Sequence, residues 1–251
     1  MQRHLFILLF VVLGLLSCQT PQKPAFESSS QHPLDSSIIN NPEIEAKIAP
    51  LRDSVEAIMN EVIGESKSDL FPDKPETPLS NFVADLLLDA AKKEIEATGK
   101  KPLPIITVIN VRGLRTAIPE GKITVEDIFS LMPFENQLVL LKLSGLNVRK
   151  LFQHMGESGG DGLAGASFTF SEGEVKNAKT GGQAIENEEF YYVATSDYLA
   201  SGGDHYTIFQ QAVEEYEFPS KIRDLIISHI RALSKKGELI DPATNKRIKF
   251  N

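Results

Sequence analysis

The sequence predicts an α+β fold in which mixed β-sheets pack against helices, with one folded domain over residues 43–251. Three observations predict it. Short apolar runs at 103–109, 137–143 and 190–196, the last rich in aromatic and β-branched residues, read as strands. Apolar residues at three-to-four spacing recur in segments near 44–62, 82–98, 144–152 and 219–235, which read as helices. Residues 166–184 alternate and turn like a hairpin.

The chain begins with a short basic start and an apolar run over residues 5–16. Twelve residues are too few to span a bilayer, so the run is the core of a signal peptide. It ends in Leu15-Leu16-Ser17-Cys18, which resembles a bacterial lipobox. That resemblance implies a lipoprotein signal peptide over 1–17 and lipidation at Cys18, the single cysteine of the chain. The exported chain is then anchored to the envelope through lipid and has no disulfide to form. Gln19 supplies no inner-membrane retention signal of the Asp type, which favours the outer membrane. Residues 18–42 are rich in Ser, Pro, Gln and Asn and read as a flexible tether, with His32 solvated within it.

The first helix carries Ile44, Ile48, Leu51, Val55, Ile58, Met59 and Val62 as a stripe expected to face the core. Residues 64–75 are polar and irregular. A second helix, with Phe82, Leu86 and Ala90 on one side, runs to about Thr98, and Gly99 ends it. The buried strand at 103–109 is followed by Asn110-Val111-Arg112-Gly113-Leu114-Arg115. Two guanidinium groups in a turn at a strand end can meet a carboxylate or phosphate bidentately.

Thr124 caps a short helix with Glu126 and Asp127 in its first turn. Pro133-Phe134-Glu135-Asn136 then leads into the strand at 137–143, and Ser144 caps the next helix. Phe134 sits in a turn, where a ring either stacks on a ligand or plugs the core beneath its loop. The loop at 157–165, E-S-G-G-D-G-L-A-G, lacks both the G-x-G-x-x-G fingerprint and the lysine of a P-loop. The strand from Phe190 runs into Tyr198 and then Ser201-Gly202-Gly203-Asp204. Taken alone, that loop is either a plain polar turn or a place where backbone and carboxylate approach a bound group. The last helix is expected from about Pro219 to Lys235, with His229 on its surface or in its packing.

Lys and Arg total 26 against 34 Asp and Glu, a net charge of −8, which argues against binding nucleic acid by counterion release. An anionic small molecule must therefore be met by locally placed arginines.

Four segments together, E-T-P-L-S-N-F-V-A-D at 76–85, N-V-R-G-L-R at 110–115, P-F-E-N at 133–136 and A-T-S-D-Y-L-A-S-G-G-D-H-Y at 194–206, resemble the C-terminal domain of the 5'-nucleotidase family. The resemblance implies a single 5'-nucleotidase C-terminal-like domain that holds the nucleoside part of a substrate. It assigns Phe134 and Tyr198 as rings that sandwich the base, Asn136 as a base contact, Asp204 as the partner of the ribose hydroxyls and Arg115 as a further substrate contact. Arg112, Gly159, Gly202 and Gly203 fall in the substrate loops. The chain departs from the family in carrying Arg112 and His205 where glycine is common, Ser196 for Asn, and Tyr198 for Phe; it also lacks an Arg shortly before Glu76.

In that family the chemistry belongs to an N-terminal metallophosphatase domain with D-x-H, G-D, G-N-H and G-H-x-H segments. The five histidines here, His4, His32, His154, His205 and His229, lie in no such pattern. No catalytic residue, metal ligand or cofactor is expected in this chain, and divalent metals are expected only in a partner metallophosphatase. The leading expectation is the nucleoside or nucleotide recognition module of a split 5'-nucleotidase. The alternatives are a stand-alone nucleotide-binding lipoprotein without hydrolase activity, or a structural envelope lipoprotein that has lost the ligand.

Overall fold

A computed structural model describes residues 30, 31, 33, 35 and 38–251, so Cys18, His32, the signal segment and much of the tether lie outside the described residues. The described residues fall into two units, one ending at Ala49 and one running Pro50–Asn251. Helix α1, Pro42–Met59, starts where the Asn41 side chain accepts the amide of Glu43 at 2.9 Å. Its apolar stripe is not core, apart from Met59 at its end, which is partly buried and packs against the core of its own unit. The helix buries no side chain, and Leu51 is 69% exposed, with Ile44, Ile48, Val55 and Ile58 exposed as well. A period of 3.6 residues reports that one face is apolar, and it is silent on whether the same chain covers that face. Val62 has left the helix and opens β1, Val62–Ser66.

Within Pro50–Asn251 a five-stranded sheet is ordered β10–β4–β9–β2–β5, formed by Glu214–Lys221, Gln137–Ser144, Phe190–Ser196, Ile105–Ile109 and Gly162–Ala164. Strands β2 and β9 are parallel, and the other neighbours are antiparallel. Alternating side chains divide between the two faces of the sheet. Leu138 and Leu140 of β4, with Tyr192 and Ala194 of β9, enter one core. Val139, Leu141 and Leu143, with Tyr191 and Val193, enter the other. At about 1.5–3 kcal/mol for each large apolar side chain removed from water, a one-residue slip of β4 would misplace five of them, so the register is firmly set.

The first face is covered by α2 (Pro78–Ala97), α3 (Val125–Leu131) and α6 (Ile222–Lys235), which bury Leu79, Val83, Leu87, Ile128, Ile226 and Ile230. His229 of α6 meets Phe82 edge-on, with centroids 5.6 Å apart. Helix α2 is stopped and started locally. Thr77 accepts the Ser80 amide while the Ser80 hydroxyl takes the Thr77 amide, and Gly99 beyond the far end holds φ of 66°. The second face is covered by α4 (Gly145–Glu157), whose Phe152 stacks on Phe168 with centroids 4.8 Å apart. Phe168 belongs to a four-stranded sheet ordered β11–β6–β7–β8, from Ile248–Phe250, Ala166–Ser171, Glu174–Thr180 and Gln183–Ala184. A two-stranded sheet pairs β1 with β3, Gly121–Thr124.

Pro219 does not start the last helix. It lies in β10, at the sheet edge and inside the irregularity between Glu217 and Lys221, and α6 begins at Ile222. Proline has no amide hydrogen to give a ladder, which suits an edge strand as well as a first helical turn.

Candidate functional site

Because β2 and β9 are parallel, both finish at the same end of the sheet, and antiparallel β4 begins there, with Leu138 opposite Ser196. Strand β5 also starts at that end, with Gly162 opposite Ile109. The segments 110–115, 133–136, 158–161 and 197–206 are thereby gathered from four parts of the sequence onto one rigid rim.

A cavity of about 280 Å³ opens between three of them, lined by Asn110, Arg112, Gly113, Arg115, Phe134, Asn136, Tyr198 and Asp204. All five residues assigned to substrate binding from the sequence, with Arg112, face this one space. Phe134 is 50% exposed and Tyr198 44% exposed, so both rings stand in the cavity wall and not in the core. Gly202 lines a neighbouring cavity, and Gly203 lies beneath the Tyr198 ring. Gly159, at φ of 90°, lines neither; a Cβ there would meet the Lys74 side chain at 3.6 Å.

Asp204 is the most constrained of these groups. Its Oδ1 accepts the Tyr198 hydroxyl at 2.8 Å and its Oδ2 accepts Nδ2 of Asn110 at 2.7 Å. Its amide donates to the Tyr198 oxygen at 3.2 Å, and its carbonyl lies 3.2 Å from Nε2 of His154, which must then carry the proton. The Asp204 bond holds the Tyr198 phenol above its ordinary value of 10.0. Asp204 and His205 adopt left-handed φ of 49° and 65°, and Gly202 stands at 97°. Non-glycine residues in that region cost on the order of 1–3 kcal/mol each and persist where surrounding contacts enforce them, typically at functional sites. Gly203 is required by close approach, since a Cβ there would sit 2.5 Å from the Tyr198 ring.

Two residues missed in the sequence brace this arrangement. Asp161 is 3% exposed; it accepts the Val111 amide at 2.9 Å and the Tyr206 hydroxyl at 2.6 Å, with Nζ of Lys74 at 3.7 Å. It ties the glycine-rich loop to both the Asn110 turn and the Asp204 loop. Burial pushes its carboxyl above the usual aspartate value and pushes the Tyr206 phenol well above 10.0. The other is Arg223 of α6, 6% exposed, which donates to the carbonyls of Pro133 at 3.2 Å and Met132 at 3.4 Å. Its guanidinium lies 4.0 Å from the Phe129 ring centre and 3.4 Å from Glu135, so the Phe134 loop is held from below. The only sequence signal for Asp161 is a carboxylate between glycines; Arg223 reads as an ordinary helix residue.

Glu76, which opens the first of the four segments, lies outside the cavity lining and serves the scaffold. It accepts Nδ2 of Asn81 at 2.9 Å and the amides of Asn245 at 2.9 Å, Arg247 at 2.6 Å and Ile248 at 3.1 Å. This clamps the start of β11. Among the described residues no group of three or more His, Cys, Asp or Glu side chains is arranged to hold a metal ion.

Comparison with known proteins adds to this geometry. The family model for the 5'-nucleotidase C-terminal domain matches residues 62–211. The trifunctional nucleotide phosphoesterase protein YfkN of Bacillus subtilis is 28% identical over 238 residues, 86% of this chain and 16% of its own length. An apyrase of Tabanus yao is 26% identical over 224 residues, 79% of this chain and 40% of its own. Among solved structures, the 5'-nucleotidase precursor from Thermus thermophilus shares the fold with a TM-score of 0.68 at 23% identity, over 83% of this chain and 43% of its own. The NAD nucleotidase of Haemophilus influenzae does so with a TM-score of 0.62 at 19% identity, over 84% of this chain and 41% of its own. The chain thus spans less than half the length of each of these proteins.

Proposed function

The chain belongs to the 5'-nucleotidase C-terminal domain family, and from that premise we propose that its 280 Å³ cavity takes a nucleoside or nucleotide and that the chain is the substrate-recognition subunit of a split 5'-nucleotidase. The observation that carries this reading is the convergence of Arg115, Phe134, Asn136, Tyr198 and Asp204 on that cavity. Two aromatic rings suit a base, whose stacking contributes about 1–3 kcal/mol with little dependence on its identity. The carboxamide of Asn136 suits a base edge, and the Asp204 carboxylate suits a vicinal diol. Arg112 and Arg115 offer planar donors to a phosphate.

Hydrolysis of the phosphate ester is assigned to a metallophosphatase carried by a separate chain, which supplies the divalent metals. Calorimetry with adenosine and AMP tests the recognition step: binding is expected, and weaker binding in Phe134→Ala. Absence of binding to both ligands sinks the reading. Phosphate release from AMP, assayed with the chain mixed with candidate metallophosphatases, tests the split enzyme; no gain with any partner defeats that part.

The lipid anchor at Cys18 and placement in the outer membrane belong to the same proposal, supported by the Leu15-Leu16-Ser17-Cys18 segment. Labelled palmitate should enter the parent and not Cys18→Ala, and membrane fractionation should put the label in the outer membrane. Equal labelling of both proteins rules the anchor out.

A further inference from the structure

The nucleotide site makes no use of the apolar stripe on α1. Ile44, Ile48, Leu51, Val55 and Ile58 are between 43% and 69% exposed, and Val62 continues the row at 49%. Their spacing alternates between four and three residues, the a/d pattern of a heptad repeat. At about 100° per residue they fall within an arc about 80° wide. A helix that faces its own core carries a stripe of about 100° or more, and the narrower kind is the seam of a paired helix. Met59 broadens the row only at its end, where α1 meets its own unit. Pro50 lies away from the seam, so the break it makes in the hydrogen-bond ladder does not interrupt the apolar row.

We propose that α1 is a self-association surface, through which two copies of this chain pair as an antiparallel two-helix seam. Charge selects this occupant. Glu43, Glu45, Asp53 and Glu56 outnumber Lys47 and Arg52 on α1, so it lacks the Lys/Arg-rich polar face of a helix that lies on lipid. In a parallel pair Lys47 of each copy would meet Arg52 of the other, a like-charge contact made twice. In an antiparallel pair Ile48 packs on Ile58 and Leu51 on Val55 of the other copy. Lys47 then meets Glu61 at both ends, against one Arg52 contact at the twofold axis. The turn reaches Glu61, whose amide donates to the Ile58 carbonyl at 3.2 Å. Its Oε2 takes Arg231 at 2.6 Å, and Oε1 is left for the lysine. One patch thus serves both copies, as a closed twofold dimer requires. The pairing stands independently of the nucleoside reading.

Sedimentation velocity of the full chain carrying Cys18→Ala, in detergent solution at about 1–100 μM, tests the pairing. That parent is expected to pass from monomer to dimer over the range. Leu51→Glu puts a charge in the seam and should raise the dimer dissociation constant about tenfold or more. Leu51 is 69% exposed, so the change spares folding, which circular dichroism checks. Ala57→Glu, on the outer face of α1, should leave the dimer as it is. Antiparallel pairing sets the two Ser54 side chains near the axis, so Ser54→Cys, the only thiol in that background, should be linked by a short bismaleimide. A parent that stays monomeric, a Leu51→Glu chain that dimerises as the parent does, or a dimer that Ser54→Cys cannot link each overturns the proposal. Binding of a monomeric parent to phosphatidylglycerol vesicles, lost in Leu51→Glu, would overturn it in favour of a lipid surface. Pairing only with a metallophosphatase chain would overturn it in favour of that partner.

Discussion

The hydroxyl of Tyr198 donates to Oδ1 of Asp204 at 2.8 Å while accepting the Asp204 amide at 3.2 Å, so one side chain caps both polar ends of the residue assigned to the sugar. With Asn110 on Oδ2, each carboxylate oxygen already accepts one hydrogen bond before any ligand arrives. A ribose diol that approaches Oδ1 competes with the phenol for that oxygen.

Tyr198→Phe keeps the ring and removes that competitor. Adenosine affinity, measured by calorimetry, is expected to rise severalfold, since a net hydrogen bond no longer has to be exchanged. Tyr198→Ala removes the ring as well and should cost roughly tenfold through lost stacking. A fall in the Phe variant as large as in the Ala variant would show that the hydroxyl is itself a ligand contact.

Arg223 acts on the opposite wall. It is not part of the cavity lining, yet it holds the carbonyls of Met132 and Pro133 next to Phe134. Glu135, kept below the usual glutamate value chiefly by its hydrogen bond with Lys221, completes the tether. Arg223→Met preserves the packing stem and releases the loop, so the ring must be ordered when the ligand binds. Such ordering is worth about tenfold in affinity, with circular dichroism unchanged; an affinity equal to the parent would mean that the loop's other contacts suffice.

The division between legible and hidden features follows the range of the interactions. The continuous apolar run of Leu138 to Leu141 and the capping residues Thr124 and Ser144 act within a few residues, so the central strand and two helix starts can be read directly. Phe134, Tyr198 and Asp204 are left open by their own turns and become legible only through the four segments that together resemble the family. Strands β5 and β11 are three residues each, and β10 contains a proline; their ladders depend on partners far along the chain. Asp161, Lys74 and His154 meet the Asp204 loop only through tertiary folding, and each is unremarkable in its own segment. The stripe on α1 has a clear period, and its exposure is a property of what surrounds it.

Glu76 makes a stability prediction with a definite sign. Burial alone would raise its pKa, but donors from Asn81, Ile248, Asn245 and Arg247 outweigh that effect and hold it below 4.5. A carboxyl depressed in the folded state contributes stability above its unfolded value and loses it as pH falls through the folded one. Glu76→Ala should cost about 2 kcal/mol at neutral pH, a modest figure because the group is half-solvated. In thermal melts the gap from the parent should shrink below roughly pH 4, and a gap constant with pH would assign the loss to packing instead.

Asp161 carries the opposite sign. Burial is the largest influence on it and raises its pKa above 3.8, against the pull of Tyr206, Val111 and Lys74 and with a smaller push from Asp204. A carboxyl raised in the folded state favours folding fully below its unfolded value, and that contribution is lost as pH rises through the folded value. At neutral pH the buried charge is therefore a cost, accepted because the group joins three loops. Asp161→Asn removes the charge; its oxygen can still accept the Val111 amide, and its NH₂ can donate to the Tyr206 oxygen. Its stability relative to the parent should improve as pH rises from about 4 to about 7. Asp161→Ala leaves a buried hydroxyl and amide without partners and should lose about 2–5 kcal/mol, the loss being larger at low pH than at neutral pH. A parent-to-Asn difference that stays flat across that range would mean that the carboxylate is already compensated, with Lys74 at 3.7 Å its nearest countercharge.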